Sequence, residues 1–216
     1  MDDYIKILPS YLVKRYQGWK ATGFEENKSW FARMADIGQS PRVMVVSCCD
    51  SRVHATAMFG ADTGEFFIHR NIANLIPPYE PSGDHHGTSA AIEYGVCALE
   101  ISHLIVLGHS NCGGINGGYH LCKESKSHQK TIFVDKWLNI IRPAYEKIAN
   151  KNVDDLAKIK LLEKESIITS INNLIAFPFI KKNLENEKLV LHGLWHDIAS
   201  GELEMLDPNK LEFIKI

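Results

Sequence analysis

Two short stretches of the chain, Cys48-Cys49-Asp50-Ser51-Arg52 and His109-Ser110-Asn111-Cys112-Gly113-Gly114, bring thiols, an imidazole and a carboxylate two residues from a guanidinium into reach of one another. Zinc binds Cys sulfur and His nitrogen, and catalytic zinc sites use three protein ligands with the fourth position left to water or substrate. Cys48, His109 and Cys112 match that count, and a His and a Cys three residues apart can converge on one metal. A lone buried Cys is ordinarily a small hydrophobe, so the conjunction of the two motifs is what points to one zinc per chain. Cys49 follows a ligand directly, should face the opposite side of an extended chain, and is read as packing.

Asp50 taken alone is an ordinary turn residue and Arg52 an ordinary surface charge. Beside a zinc ligand their spacing favours a sharper role. An aspartate held by arginine stays ionised, accepts a hydrogen bond from metal-bound water, and so orients the attacking hydroxide. Zinc brings bound water to a pKa of about 7 and creates a nucleophile at neutral pH. Two thiolates make the metal a weaker Lewis acid than three imidazoles would, which raises the weight on Asp50 and Arg52 as the catalytic pair.

Each motif directly follows an apolar run, residues 43–46 or 104–107, so the metal is expected at strand ends. Further strands are expected at residues 64–69, 189–193 and 202–206, the last as an alternating edge strand. Thr88 or Ser89 is a potential cap for a helix running to Leu99, and residues 131–182 read as mostly helical, with boundaries at Pro143 and Pro178. Strands separated by helices predict a single α/β domain with a mainly parallel central sheet flanked by helices and a final antiparallel edge strand, its sites beyond the strands' carboxyl ends. Residues 1–38, with spaced aromatics such as Tyr11, Trp19 and Phe31, read as an N-terminal helical arm, and residues 39–216 as the zinc-binding catalytic domain. The arm lies either on its own domain or around another subunit. His85-His86 and residues 123–130 read as solvated loops.

A chain of 216 residues is long enough to bury a core without disulfides, and a formal net charge of -2 with scattered basic residues argues against nucleic acid. No segment approaches a membrane span of about 20 apolar residues, so no membrane partner is expected. Five cysteines without a disulfide-framework pattern, and an acidic start that does not read as a signal peptide, predict a cytoplasmic protein.

The pair Cys-x-Asp-Ser-Arg and His-x-x-Cys-Gly-Gly resembles the β-class carbonic anhydrases, with the likeness running from Gln39 to Gly114 and more faintly through Leu191-His192-Gly193 to Gly201. The resemblance implies zinc on Cys48, His109 and Cys112, the dyad Asp50–Arg52, and reversible hydration of carbon dioxide to bicarbonate and a proton by attack of zinc-bound hydroxide. Gln39 and the segment Arg70-Asn71-Ile72-Ala73-Asn74 resemble the plant-type branch. That branch implies Gln39 as a donor to substrate, Phe67, Ile72 and Tyr94 as an apolar pocket, Gly113 as a further substrate-binding position, and a homodimer or multiple of dimers with pockets shared between subunits. An apolar slot with one donor suits carbon dioxide, which has no net dipole. In the other branch a bicarbonate-regulated inactive state uses a Trp and a Tyr where this chain has Val45 and His196, and some plant-type members have a proton-shuttling His where it has Ala98, so the shuttle is unassigned and Tyr94 is one candidate. Competing readings are a hydrolase of carbon disulfide or carbonyl sulfide on the same fold, and a non-enzymatic zinc protein, which would normally need a fourth protein ligand. The glycines at 113–118 match neither common nucleotide-loop pattern.

Overall fold

The computed structural model describes residues 4–84, 86–124 and 131–216. The chain forms two compact units, Met1–Gln39 and Ser40–Ile216. In the first, helix α1 (Ser10–Trp19) runs through a π-helical turn (Lys20–Phe24) to α2 (Lys28–Ile37). Trp19 stands over Phe24 and Phe31 at 5.7 and 6.0 Å, and Phe24 stacks on Phe31 at 5.4 Å, so the spaced aromatics fasten the unit's two helices to each other. Gly38, at φ +77°, ends α2 in a conformation that side-chain-bearing residues avoid.

The second unit is built on a six-stranded sheet in the order β2-β1-β3-β4-β5-β6. Strands β1 (Val43–Cys48), β2 (Phe66–Asn71), β3 (His103–His109) and β4 (Val190–His196) are parallel, and β5 (Leu203–Asp207) and β6 (Glu212–Lys215) are antiparallel. Residues 44–48 of β1 and 104–109 of β3 are buried, as expected of central parallel strands covered on both faces. The strand order places β1 and β3 side by side, so Cys48 and His109 leave the sheet at neighbouring carboxyl ends.

Helix α3 (Ala55–Phe59) and a 3-10 turn (Ile72–Asn74) flank the strand ends, and α4 (Gly87–Glu93) continues into a π-helical turn, Tyr94–Ala98. The long helix α8 (Asp155–Ile175) is capped by Asp154, which accepts from the Ala157 N–H at 2.8 Å, and presses Ile167 onto β3 and β4. A Cβ on Gly108 would lie 2.7 Å from Ile167 Cδ1, so the close approach of helix to sheet requires glycine there. Between β3 and α8 lie α5 (Gly113–Glu124), α6 (Val134–Leu138) and α7 (Arg142–Ala149), and α9 (Pro178–Glu185) precedes β4. Pro143 and Pro178 each sit in a first helical turn, where a missing N–H costs nothing.

Several expectations shift. The strand expected at residues 64–69 begins at Phe66 because Gly64, at φ +99°, belongs to the preceding turn. Residues 203–207 are not the edge: β6 pairs outside them and turns Phe213 onto the core. Thr88 does not cap α4 but lies inside it, buried at 8% exposure. The glycine-rich residues 113–118 open helix α5, favoured by packing rather than propensity, since a Cβ on Gly118 would meet Ile141 Cδ1 at 2.3 Å. Lys123 is not in a loop but in the last turn of α5, paired with Asp155, while His85 and residues 125–130 fall outside the described residues. No described helix is long and apolar enough to cross a membrane.

Candidate metal centre

Parallel strands end on the same side of a sheet, so the two motifs converge without any long excursion of the chain. The ligand atoms of Cys48, His109 and Cys112 lie within 4.8 Å of one another and all three residues are buried. The two sulfurs are 3.9 Å apart. Two Zn–S bonds of about 2.3 Å at a tetrahedral angle would set them about 3.8 Å apart. His109 Nδ1 donates to the Ser110 carbonyl at 2.9 Å, which fixes the tautomer and leaves Nε2 as the free lone pair. That Nε2 is buried without a hydrogen-bond partner. A buried imidazole nitrogen with nothing to bind, facing two thiols, is the donor set that zinc requires, and the residues fit the metal.

Backbone amides prepare both sulfurs to carry negative charge. Cys48 Sγ accepts from the N–H groups of Asp50 and Ala73, and Cys112 Sγ from those of Gly114 and Ile115 at the start of α5. Between themselves the thiols divide the burden: the hydrogen bond from Cys112 holds Cys48 well below the ordinary thiol pKa, and the same bond pushes Cys112 up.

Asp50 and Arg52 are joined by two side-chain hydrogen bonds, Nε to Oδ1 at 2.9 Å and Nη2 to Oδ2 at 2.7 Å, and the Arg52 amide adds a third to Oδ1 at 3.0 Å. Arg52 holds the Asp50 carboxyl well below the usual carboxylate range. Arg52 Nη2 also donates to the carbonyl of Asn111 at 3.1 Å, so the first motif grips the second one residue before Cys112. Asn111 sits at φ +55°, a conformation that asparagine tolerates better than most residues.

The remaining expected positions are placed unevenly. Ile72 is exposed, not core, and is carried on the 3-10 turn whose next amide, Ala73, reaches Cys48 Sγ. Phe67 is partly buried against the core, with its ring 5.8 Å from that of Tyr94, which is half exposed. Gln39 is the last residue of the first unit. Gly113 has open space where a side chain would stand, whereas a Cβ on Gly114 would meet Ile72 Cγ2 and Ala73 Cβ at 2.9 Å. The steric demand for glycine in the second motif therefore falls on Gly114. Cys49 is exposed rather than packed.

Two supporting residues went unread in the sequence. Arg70 Nε donates to the Cys48 carbonyl at 2.9 Å, and its Nη2 to the carbonyls of Asp50 and Val53 at 2.6 and 2.9 Å, so one guanidinium ties down the whole first motif. Glu163, 3% exposed on α8, accepts from the Cys112 N–H at 3.2 Å and from Trp195 Nε1 at 3.3 Å, and burial pushes its pKa up. Arg70 begins the Arg-Asn-Ile-Ala-Asn segment, which was a signal; Glu163 lies among ordinary helix residues, which offered none.

The carbonic anhydrase family model matches residues 43–203. The chain is 33% identical over 190 residues to β-carbonic anhydrase 3 of Arabidopsis thaliana, covering 87% of this chain and 72% of that protein. Its fold superposes on the β-carbonic anhydrase CcaA with a TM-score of 0.88 at 30% identity, covering 96% of this chain and 91% of the other. A tetrameric β-carbonic anhydrase from Sordaria macrospora gives 0.77 at 27% identity over 91% and 95% of the two chains. With sheet, metal cradle and relatives in agreement, the chain belongs to the β-carbonic anhydrases, a family of lyases.

Proposed function

We propose that the protein hydrates carbon dioxide reversibly to bicarbonate and a proton at one zinc held by Cys48, His109 and Cys112. The observation that carries this reading is the buried, unpartnered His109 Nε2 facing two thiols 3.9 Å apart. Zinc, when bound, supplies the Lewis acidity that makes water a nucleophile at neutral pH. Asp50, ionised and held by Arg52, can only accept hydrogen bonds, so it would orient the attacking water by accepting a hydrogen bond from it, leaving a lone pair turned toward the substrate. Ile72, Phe67 and Tyr94 supply an apolar wall for a substrate without a dipole, Gln39 a donor to one of its oxygens, and Gly113 a wall with no side chain in the way. Residues 1–38 act as the helical arm and residues 39–216 as the catalytic domain.

The working form is a homodimer or multiple of dimers, a reading supported by the tetrameric relative and by the exposed aromatics of the arm. Five free cysteines support a reducing, cytoplasmic setting. Stopped-flow carbon dioxide hydration with zinc analysis tests the function: one zinc per chain and a carbon dioxide rate far above those for carbon disulfide and carbonyl sulfide are expected. Zinc without any hydration activity would favour a non-enzymatic zinc protein.

A further inference from the structure

Hydration of carbon dioxide liberates one proton per turnover, and with Ala98 in place the chain has no imidazole one turn after Tyr94 to carry it. A histidine stands elsewhere beside the site. In the β1–β2 register Val46 pairs with His69 and Cys48 with Asn71. Side chains alternate along a strand and paired positions share a face, so Phe67, His69 and Asn71 lie on the face of Val46 and Cys48. Strand spacings of about 4.8 Å across and 3.3 Å per residue along put the Cα atoms of His69 and Cys48 about 8 Å apart.

The ring itself is arranged as a relay would be. Its Nε2 is hydrogen-bonded to Thr88 Oγ1 at 3.0 Å, and Thr88 Oγ1 in turn accepts from Asn71 Nδ2 at 3.4 Å, so one nitrogen is anchored. Nδ1 makes no hydrogen bond among the described residues, and the ring lines an open cavity of about 670 Å³ together with Cys49, Asn71, Ile72 and Trp137. Ile72 belongs to the same turn as Ala73, whose amide reaches Cys48, and Cys49 directly follows Cys48, so the cavity borders the two segments that carry this sulfur and its amide. Burial lowers the His69 pKa, which keeps the ring neutral and able to accept a proton at neutral pH. Cys49 and Lys136 are the other titratable groups lining the cavity among the described residues, and neither bonds to the ring; α4 presents only Gly87 and Thr88 to it.

Resting on the carbonic anhydrase reading, we propose that His69 relays the product proton between the reacting water and solvent. The neutral imidazole takes that proton at Nδ1, becomes imidazolium, and passes the proton to a buffer base at the cavity mouth, which returns the ring to neutrality. No electron moves and no bond other than to the proton changes. Thr88 holds the ring's orientation throughout.

A relay limits proton transfer but not the interconversion of carbon dioxide and bicarbonate, so kcat and kcat/KM separate. In dilute buffer His69→Val and His69→Gln are expected to lose at least about tenfold in kcat, at the low end of positioned acid–base effects, with zinc content and kcat/KM unchanged, and added imidazole should restore kcat. The His69 ring resonances of the wild-type protein should titrate, with a midpoint below that of an ordinary histidine because burial disfavours the charged ring. An unchanged kcat in both variants, a parallel fall of kcat and kcat/KM without imidazole rescue, or a ring that does not titrate would overturn the relay alone. A zinc-loaded wild-type protein inactive toward carbon dioxide would overturn the parent reading and the relay with it.

Discussion

At the residue scale, the decisive property is that the three candidate ligand atoms converge in a buried site, with His109 Nε2 making no hydrogen bond and both sulfurs backed by backbone amides. Replacing any of Cys48, His109 or Cys112 with Ala is expected to remove most zinc and activity together, measured by metal analysis beside the hydration assay; full zinc retention in all three variants would sink the assignment. Asp50→Asn and Arg52→Ala damage only the orienting pair and are expected to keep zinc while losing activity by about 10 to 100-fold, the usual scale for groups that position metal ligands or metal-bound water. The same pair sets a pH prediction. Arg52 depresses the Asp50 pKa in the folded state, so the stability it contributes is present above the ordinary Asp pKa of about 3.9 and is lost as pH falls below that toward the folded value. The stability gap between wild type and Asp50→Asn, measured by denaturant titration, should be flat from neutral pH down to that point and close only in stronger acid. A gap that closes near neutrality would show that the clamp is not formed.

At the element scale, the site depends on how closely the Ile72–Asn74 turn approaches the start of α5. Ala73 and Asn74 sit at φ +62° and +49°, and the turn is held by Trp137 Nε1 donating to the Ile72 carbonyl at 2.8 Å and by Asn71 bonding the amide and carbonyl of Leu75 at 3.0 and 2.8 Å. A methyl at Gly114 enters this contact directly, while one at Gly113 meets nothing. Gly114→Ala is therefore expected to cost about 1 to 3 kcal/mol, the usual range for overpacking, with loss of zinc affinity, and Gly113→Ala to be tolerated in stability. Equal thermal midpoints for the two variants would contradict the packing. Arg70 belongs to the same scale: it spans three carbonyls of the first motif, so Arg70→Met should loosen both Cys48 and Asp50, seen as faster zinc loss to a chelator together with a lower rate.

At the scale of the whole molecule, we expect an even-numbered oligomer with pockets shared between subunits, checked by sedimentation during assay at nanomolar concentration; a fully active monomer would refute it. The state of the site is also expected to be constitutively open. Val45 is fully buried against Ile105, Leu107 and Leu194, and His196 Nδ1 donates to the Glu202 carbonyl at 3.3 Å, so neither position carries the side chain that supports the bicarbonate-stabilised form of the other branch. With Arg52 gripping both Asp50 and the Asn111 carbonyl, the carboxylate is held by the dyad. Activity should fall with acidification along one simple titration, without steep cooperativity. A crystal structure at neutral pH with an Asp50 oxygen at the zinc bonding distance of about 2.0 to 2.2 Å would overturn this.

The candidate site was legible in the sequence because residues able to hold a metal, and a charged pair beside them, are specified by residue type at short spacing, and because apolar runs locate strands whose ends must hold those residues. The convergence of Cys48, His109 and Cys112 into a cluster that could hold a metal and the pairing of Asp50 with Arg52 are of this kind, as are the parallel core strands. What tertiary structure alone decided has longer range. The helix over Gly113–Glu124 forms against propensity because its glycines fit Ile72, Ala73 and Ile141. Strand β6 forms because β5 offers it an edge and the core accepts Phe213. Glu163 reaches the Cys112 amide from a residue 51 positions further along the chain, and His69 gains its place on the face of Cys48 only through strand register. Such contacts depend on which surfaces meet across the fold, and no local pattern of side chains carries that information.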